Sequence, residues 1–221
     1  MAFKLSDLLQ NVNFEIICGD VNVSVNAVTT NSRKVSSGDV FVAIIGVNND
    51  GHKYVKSAIE NGASCVVIDV NNTIISTEEI VELAGNKVTV ISSSNNSVAG
   101  AIIYANYLGN PQNNIGFIGV TGTKGKTTAT FMIYEILNRA GLKSGLLGTV
   151  CNIVDGVKKT TTNTTLPMTD LYDTIDELNK TDTKNVVMEV SSHGLKQNRV
   201  YGVKYKVGCF TNFFEDHIGP L

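Results

Sequence analysis

The sequence has 221 residues, enough for one large domain or two of ordinary size, and 43% of them are hydrophobic, which is enough to fill real cores. With 18 basic and 20 acidic residues the formal net charge is −2, so there is no basic surplus for binding nucleic acid and no acidic tail. The apolar runs are too short for a membrane span and the N-terminus lacks a signal peptide's apolar region, so the composition predicts a soluble cytoplasmic protein.

The first half of the chain alternates short strand and helix patterns. The predicted elements, in chain order, are a helix at 3–10, strands at 16–18, 25–28 and 40–44, a helix at 54–61, strands at 65–70 and 88–91, and a helix at 97–108. Gly, Pro and Asn then cluster at 109–114, which is typical of a loop. We therefore expect one domain at 1–110 and a second at 111–221.

The second half predicts strands at 115–120, 145–150, 185–190 and 206–211, with helices at 128–140 and 168–180. This alternation is typical of a parallel sheet with crossover helices. The sequence stops after a strand, although parallel sheets are normally covered on both faces. The expected fold is a small N-terminal α/β domain followed by an incomplete parallel-sheet domain with a phosphate-binding loop (P-loop), in a truncated piece of a longer protein.

A glycine-rich segment, Gly119-Val120-Thr121-Gly122-Thr123-Lys124-Gly125-Lys126-Thr127-Thr128, lies between a predicted strand and a predicted helix. Backbone N–H groups and the helix dipole favour an anion there, Lys126 can reach outer phosphates, and the Thr127 hydroxyl can ligate Mg²⁺. The spacing departs from the regular motif, since Val120 occupies the position of the first glycine. A β–α turn that binds nothing is the alternative, but it leaves Lys126-Thr127-Thr128 unexplained.

Polar residues follow the later strands, where open α/β sheets bind ligands. Glu189 ends an apolar strand and suits Mg²⁺ ligation; a carboxylate paired with a core basic group is the alternative. His217, beyond the last strand, is a candidate for metal or phosphate binding, or a structural partner of Asp216. Ser191-Ser192-His193 lacks the Gly-x-Ser-x-Gly context of a hydrolase and is interpreted as a substrate-contacting loop.

The remaining polar segments are weaker evidence for a particular function. Thr160 to Thr165 forms a dense hydrogen-bonding loop or an ordinary turn before a helix, and the loops at 30–33 and 46–52 are by themselves ordinary turns. The four cysteines, at 18, 65, 151 and 209, have no Cys-x-x-Cys spacing, so we expect buried reduced thiols rather than metal ligands or disulfides.

Together these segments resemble the Mur ligases, and most closely the branch that adds the third residue of the peptidoglycan stem peptide. The resemblance rests on the phosphate-loop segment, Asn163-Thr164-Thr165, Met188 to Leu195, and Phe210-Thr211-Asn212 with Asp216-His217, in this order, and on Asn31 to Val35 with Gly38 to Ala43. It spans nearly the whole chain and implies three domains: a UDP-substrate domain, a central ATPase domain and a C-terminal domain absent from this sequence.

The resemblance implies an ADP-forming ligase that uses ATP and Mg²⁺ to join L-lysine or meso-diaminopimelate to UDP-MurNAc-L-Ala-D-Glu through an acyl phosphate. It implies catalytic roles for Lys126, Glu189 and His217, with Thr127 and Glu189 at one Mg²⁺ and His217 at a second. ATP contacts are implied for Gly122, Thr123, Lys124, Gly125, Lys126, Thr127 and Thr128. Uridine diphosphate contacts are implied for Thr30, Ser32, Val47, Asn48 and Asn49. Muramoyl-peptide contacts are implied for Asn163, Thr164, Thr165, Ser191, Gln197 and Arg199.

Two positions depart from the family pattern. Lys124 replaces a common Asn, and Ile218-Gly219-Pro220 replaces the commoner Leu-Asp-Tyr type; both variants resemble the lysine-adding branch. The family's carbamylated lysine, adenine contacts and amino-acid site lie downstream of His217, so this chain alone is expected to be inactive. A monomer is expected. The alternatives are a folylpolyglutamate or cyanophycin synthetase relative, and a non-catalytic nucleotide-binding module.

Overall fold

The computed structural model describes residues 2–46 and 49–215. The chain divides into two compact units, Met1–Gly109 and Asn110–Leu221. In the part of the chain that is described, no helix is both long and apolar enough to cross a membrane. Each unit has its own sheet and its own apolar core.

The first unit consists of short strands and helices joined by tight turns. In chain order they are β1 (Phe3–Lys4), α1 (Leu5–Leu8), β2 (Glu15–Cys18), β3 (Ser24–Val25), β4 (Val28–Thr29), a 3₁₀ turn (Ser32–Lys34), β5 (Val40–Val42), a 3₁₀ turn (Gly51–Tyr54), α2 (Val55–Glu60), β6 (Cys65–Asp69), α3 (Thr77–Ala84), β7 (Thr89–Ser93) and α4 (Asn96–Tyr107).

The main sheet of this unit has the order β2-β7-β6-β5-β4. The strands β4 to β7 are parallel neighbours, and β2 pairs antiparallel with β7. The helices α2 and α3 pack on it through a core that includes Phe41, Val55, Val66 and Ile80. Because β4 to β7 run in the same direction, their carboxyl ends meet at one edge of the sheet.

Two predictions for this unit were wrong, and one helix was missed. The strand predicted at 25–28 is two strands in different sheets, because Asn26 turns the chain: its N–H and side-chain amide donate to the Gly38 and Ser37 carbonyls. The helix predicted at 3–10 spans only Leu5–Leu8. The helix α3 was missed, although the Ser76 side chain accepts from the Glu79 N–H, a pairing that Ser-x-x-Glu predicts.

The second unit begins with a 3₁₀ turn (Pro111–Asn114). Its elements are β8 (Gly116–Thr121), α5 (Lys126–Arg139), β9 (Ser144–Leu147), β10 (Asn152–Val154), β11 (Val157–Lys159), α6 (Met168–Asn179), β12 (Asn185–Glu189), α7 (Ser192–Lys196) and β13 (Tyr205–Phe210). The sheet order is β11-β10-β9-β12-β8-β13. The predicted parallel arrangement is confirmed for β9, β12, β8 and β13.

The antiparallel hairpin of β10 and β11 was missed, and the strand predicted at 145–150 ends at Leu147. Asp155 and Gly156 form its turn with φ of +51° and +78°. Asp-Gly is a strong hairpin signal because both residues tolerate positive φ. The sheet is therefore mixed at one edge and parallel where it carries the glycine-rich loop.

Apolar clusters cover both faces of the central strands. Leu171 and Ile175 of α6 share a cluster with Val186, whereas Leu137 of α5 packs with Val187. Neighbouring residues of a strand point to opposite faces, so α5 and α6 lie on opposite sides of the sheet. The strands β12 and β9 lie on one side of β8, and β13 lies on the other. The carboxyl end of β8 is therefore the kind of position at which open α/β sheets bind ligands.

All four cysteines are free, as predicted. Cys65 and Cys151 are buried, but Cys18 and Cys209 are half-buried. The prediction of burial was wrong for these two because both lie on edge strands, β2 and β13. Burial raises the pKa of the Cys65 thiol well above its ordinary value, which keeps that thiol protonated and unreactive.

Candidate functional site

The glycine-rich loop joins the end of β8 to the start of α5. Gly122 and Gly125 have φ of +128° and +84°, which only glycine adopts easily. Gly125 occupies the N-cap of α5 and has no side chain to satisfy the N–H groups of the first turn. A Cβ at Gly125 would meet no atom within 4 Å, so the space beside this N-cap is open. The loop has the shape of an anion cradle.

Replacing Gly122 with alanine should destabilise the second unit more than replacing Gly125 with alanine. Both changes strain a left-handed backbone, at a cost of roughly 1–3 kcal/mol. Only at Gly122 does the new Cβ also clash with Thr211 Oγ1 and lie 2.9 Å from the Asn212 backbone oxygen. Thermal unfolding of the two variants, followed by circular dichroism, measures the difference. Equal melting temperatures would contradict this loop geometry.

Lys126 lies over the loop. Its Nζ donates to the Gly122 carbonyl at 2.7 Å and to the Thr123 carbonyl at 3.2 Å. Both acceptors are neutral carbonyl oxygens, so neither bond gives the ammonium a negatively charged partner. An incoming phosphate would provide one.

Glu189 lies at the end of β12, next to β8, and is only 1% exposed. Its carboxylate accepts from the Thr127 hydroxyl at 3.0 Å, the Thr149 N–H at 2.9 Å and the Thr149 hydroxyl at 3.0 Å. Within the described ranges no ion pair involves this carboxylate, so the alternative of a basic core partner is not observed. Three neutral donors hold the side chain against the first turn of α5.

The Thr127–Glu189 pair fits a magnesium ion bound together with a nucleotide. Mg²⁺ takes oxygen ligands, commonly one or two carboxylates with phosphate and water oxygens. Among the described residues no group of three or more His, Cys, Asp or Glu side chains could hold a metal alone. Phosphate and water oxygens would therefore have to complete the coordination. His217, the other predicted ligand, lies outside the described residues.

The loop before α6 contacts Thr149 and the backbone of Glu189. The Thr149 hydroxyl also contacts the Thr164 hydroxyl at 3.1 Å. The Thr165 hydroxyl donates to the Glu189 backbone oxygen at 3.0 Å and accepts from the Ser191 N–H at 2.9 Å. Thr165 is 2% exposed, so its observed role is to support the ends of β12 and α7.

Arg199 forms hydrogen bonds to several residues of this polar group. Its Nη1 donates to the Thr165 carbonyl at 2.8 Å, with the Asn163 Oδ1 at 3.4 Å, and its Nε donates to the Gln197 Oε1 at 2.8 Å. The structure thus brings together all six residues predicted to contact the muramoyl peptide, beside Glu189. Ser191 is the N-cap of α7, since its hydroxyl accepts from the Gly194 N–H.

The candidate residues of the first unit lie at the carboxyl ends of β4 and β5. Thr30 follows β4, the largely buried Ser32 begins the first 3₁₀ turn, and Asn49 precedes the second. The strands are parallel neighbours, so both loops leave the same edge of the sheet. Val47 and Asn48 fall outside the described residues.

Sequence reasoning missed two supporting groups. Thr149 directly follows the strand next to β12, and its polar side chain at a strand end was the available signal. His52 is 1% exposed; its Nδ1 lies 2.6 Å from Asp50 Oδ1 and its Nε2 accepts from the Asp69 N–H at 2.9 Å. Burial acts to raise the pKa of Asp50, but the bonds from His52 outweigh it and lower that pKa. This bridge anchors the loop that carries Asn49.

Comparison with known families accounts for both units. A model described as "Mur ligase middle domain" matches residues 120–221, and one described as "Mur ligase family, catalytic domain" matches residues 24–107. The chain belongs to the Mur ligase family. The glycine-rich loop and Glu189 lie in the middle-domain match.

Individual Mur ligases match along almost the whole chain. UDP-N-acetylmuramoyl-L-alanyl-D-glutamate--2,6-diaminopimelate ligases of Clostridium botulinum and Clostridium tetani are 42% and 37% identical to it over 97% of its length. The chain spans 43% of the length of each. A solved structure of a ligase with the same name has a TM-score of 0.73 at 22% identity, covering 99% of this chain and 42% of its own, which establishes the shared fold.

Proposed function

We propose that this sequence forms the first two domains of a cytoplasmic ATP-dependent amide ligase of peptidoglycan precursor synthesis. The ligase adds the third amino acid to UDP-MurNAc-L-Ala-D-Glu. The observation that carries the proposal is the buried Glu189 carboxylate, 3.0 Å from the Thr127 hydroxyl at the glycine-rich loop. It lies in a chain that matches diaminopimelate ligases over 97% of its length.

The chemistry follows from these positions. A D-glutamate carboxylate oxygen takes the γ-phosphoryl group of ATP, which releases ADP and gives an acyl phosphate. The incoming amine then attacks the acyl carbon, an amide forms and inorganic phosphate leaves. Lys126 and the N–H groups of the first turn of α5 offset negative charge on the transferring group. Thr127 and Glu189 would hold Mg²⁺, which when bound neutralises charge on the phosphates.

The two units bind different parts of the UDP-peptide substrate. In this proposal Thr30, Ser32 and the loop of Asn49 contact the uridine diphosphate, and the group around Arg199 contacts the muramoyl peptide. Arg199 is suited to a carboxylate because its planar guanidinium can donate two parallel bonds. The relatives' names favour 2,6-diaminopimelate as the added amino acid, in place of the lysine suggested by Lys124 and Ile218.

The alternatives are less well supported. A folylpolyglutamate ligase would share the glycine-rich loop, but the first unit matches the Mur ligase family as well. A nucleotide-binding module without catalysis would not require a carboxylate buried beside the loop hydroxyl.

Calorimetric titration of the 221-residue chain tests the assignment of the first unit. We expect binding of UDP-MurNAc-L-Ala-D-Glu, weaker binding of Mg-ATP and no amino-acid-dependent ADP release, because the matched ligases are more than twice as long. UDP-glucose is the matched control, since it has the nucleotide but no muramoyl peptide, and it should bind more weakly. Absence of binding by the UDP-peptide would contradict the assignment, and ligation by this chain would contradict the need for a longer one.

A further inference from the structure

The segment that follows β13 forms hydrogen bonds with the glycine-rich loop. The Asn212 side-chain amide pairs with both backbone groups of Lys124: Oδ1 accepts the N–H at 2.9 Å and Nδ2 donates to the carbonyl at 3.0 Å. The Asn212 backbone oxygen accepts the Thr123 N–H at 3.0 Å. Two loop N–H groups are therefore directed away from the space in front of α5.

Two hydroxyl groups extend this contact. The Thr211 hydroxyl donates to the Lys124 carbonyl at 2.7 Å, and its oxygen fills the space beside Gly122 where a Cβ would lie. The Thr123 hydroxyl accepts from the Phe214 N–H at 3.0 Å and lies 3.3 Å from the Phe214 carbonyl. We call the contacts of Thr211, Asn212 and Phe214 with residues 121–124 the loop clamp.

We propose that Asn212 is a positioning residue, which through the loop clamp fixes the conformation in which the glycine-rich loop binds the phosphates of ATP. With the Thr123 and Lys124 N–H groups engaged, the phosphates are bound by the N–H groups from Gly125 onward and by Lys126. Asn212 itself touches neither phosphate nor carboxylate in this arrangement. The expected effect on kinetics rests on the proposed ATP-dependent function. The contacts of the loop clamp do not depend on that function.

The chemistry of the side chain explains why asparagine suits this position. A primary amide can accept an N–H and donate to a carbonyl of the same residue at once. Aspartate can only accept, and it would bring negative charge toward the phosphates. Alanine can do neither.

The geometry is tested on the 221-residue chain by hydrogen exchange of the loop amides. In the wild type the Thr123 and Lys124 N–H groups should be protected, and in Asn212→Ala the Lys124 N–H should exchange about fivefold faster, since about one net hydrogen bond is lost there. An unchanged exchange rate would overturn the loop clamp, whatever the protein catalyses.

The role is tested by ligation kinetics in a chain of the relatives' full length. Asn212→Ala should raise KM for ATP about tenfold, Asn212→Asp should raise it further, and KM for the UDP-peptide should stay unchanged. Thr211→Val removes the hydroxyl that donates to the Lys124 carbonyl and should also raise KM for ATP, whereas Thr211→Ser keeps that hydroxyl and should not. This pair decides the matter if Asn212→Ala fails to fold. Wild-type kinetics in Asn212→Ala, or equal effects of Thr211→Val and Thr211→Ser, would overturn the positioning role. A wild type without ligation would instead count against the proposed function.

Discussion

Replacing Lys126 with alanine should reduce ATP-dependent ligation about 10²- to 10³-fold in a ligase of full family length that carries this sequence. The ammonium is held beside the glycine-rich loop by the Gly122 and Thr123 carbonyls. The proposed mechanism places the transferring phosphoryl group, and the charge that develops on it, at this loop. The loss should appear mainly in kcat, because the contact strengthens as that charge develops. Coupled ADP-release kinetics at saturating UDP-peptide measures it.

Lys124→Ala is the matched control for this experiment. It also removes one positive charge, two residues away. The Lys124 side chain is exposed, and the residue is held through its backbone N–H and carbonyl, which bond to Asn212. We expect at most a few-fold change, because an exposed charge is screened by solvent. Equal losses in the two variants, or unchanged ligation in Lys126→Ala, would contradict the assignment of Lys126.

Replacing Glu189 with glutamine should have a comparably large effect, about 10²-fold or more on kcat, together with a higher Mg²⁺ requirement. The change keeps the size of a side chain that is 1% exposed, but it removes the negative charge 3.0 Å from the Thr127 hydroxyl. The amide also cannot accept from all three donors that the carboxylate now satisfies. Initial rates measured across a Mg²⁺ titration separate the two effects.

Glu177→Gln provides the control for the loss of a carboxylate. Glu177 forms an exposed ion pair with Lys159 on α6 and β11, and such pairs contribute about 0–1 kcal/mol. This variant should ligate at the wild-type rate with the same Mg²⁺ dependence. If Glu189→Gln behaves like Glu177→Gln, the metal-binding role of Glu189 is wrong.

Local sequence signals predicted the parts of the site that lie on regular elements. The glycine-rich loop, Glu189 and the parallel strands around them follow from apolar runs that end in polar residues. The hairpin of β10 and β11 was missed although Asp155-Gly156 marks its turn, because the strand predicted at 145–150 was extended past its end at Leu147. Thr149 was missed for the same reason.

Contacts between distant segments could not be predicted in this way. The bonds of Asn212 to Lys124 join residues 88 positions apart, and those of Thr165 to Glu189 join residues 24 apart. Spacing alone does not distinguish a hydroxyl that contacts substrate from one that is buried as a support, as Thr165 is. The order of the strands, which places β8 between β12 and β13, brings the segments that follow these strands together.

Transfer of a labelled oxygen tests acyl-phosphate ligation most directly. UDP-MurNAc-L-Ala-D-Glu with ¹⁸O in the reacting D-glutamate carboxylate is incubated with ATP, Mg²⁺, 2,6-diaminopimelate and the ligase of full family length, and the phosphate is analysed by mass spectrometry. Because a carboxylate oxygen bonds to the γ-phosphorus and stays there when the amine attacks, each phosphate released should carry one ¹⁸O. Amide formation with unlabelled phosphate would contradict the acyl phosphate, and the function proposed for the glycine-rich loop with it.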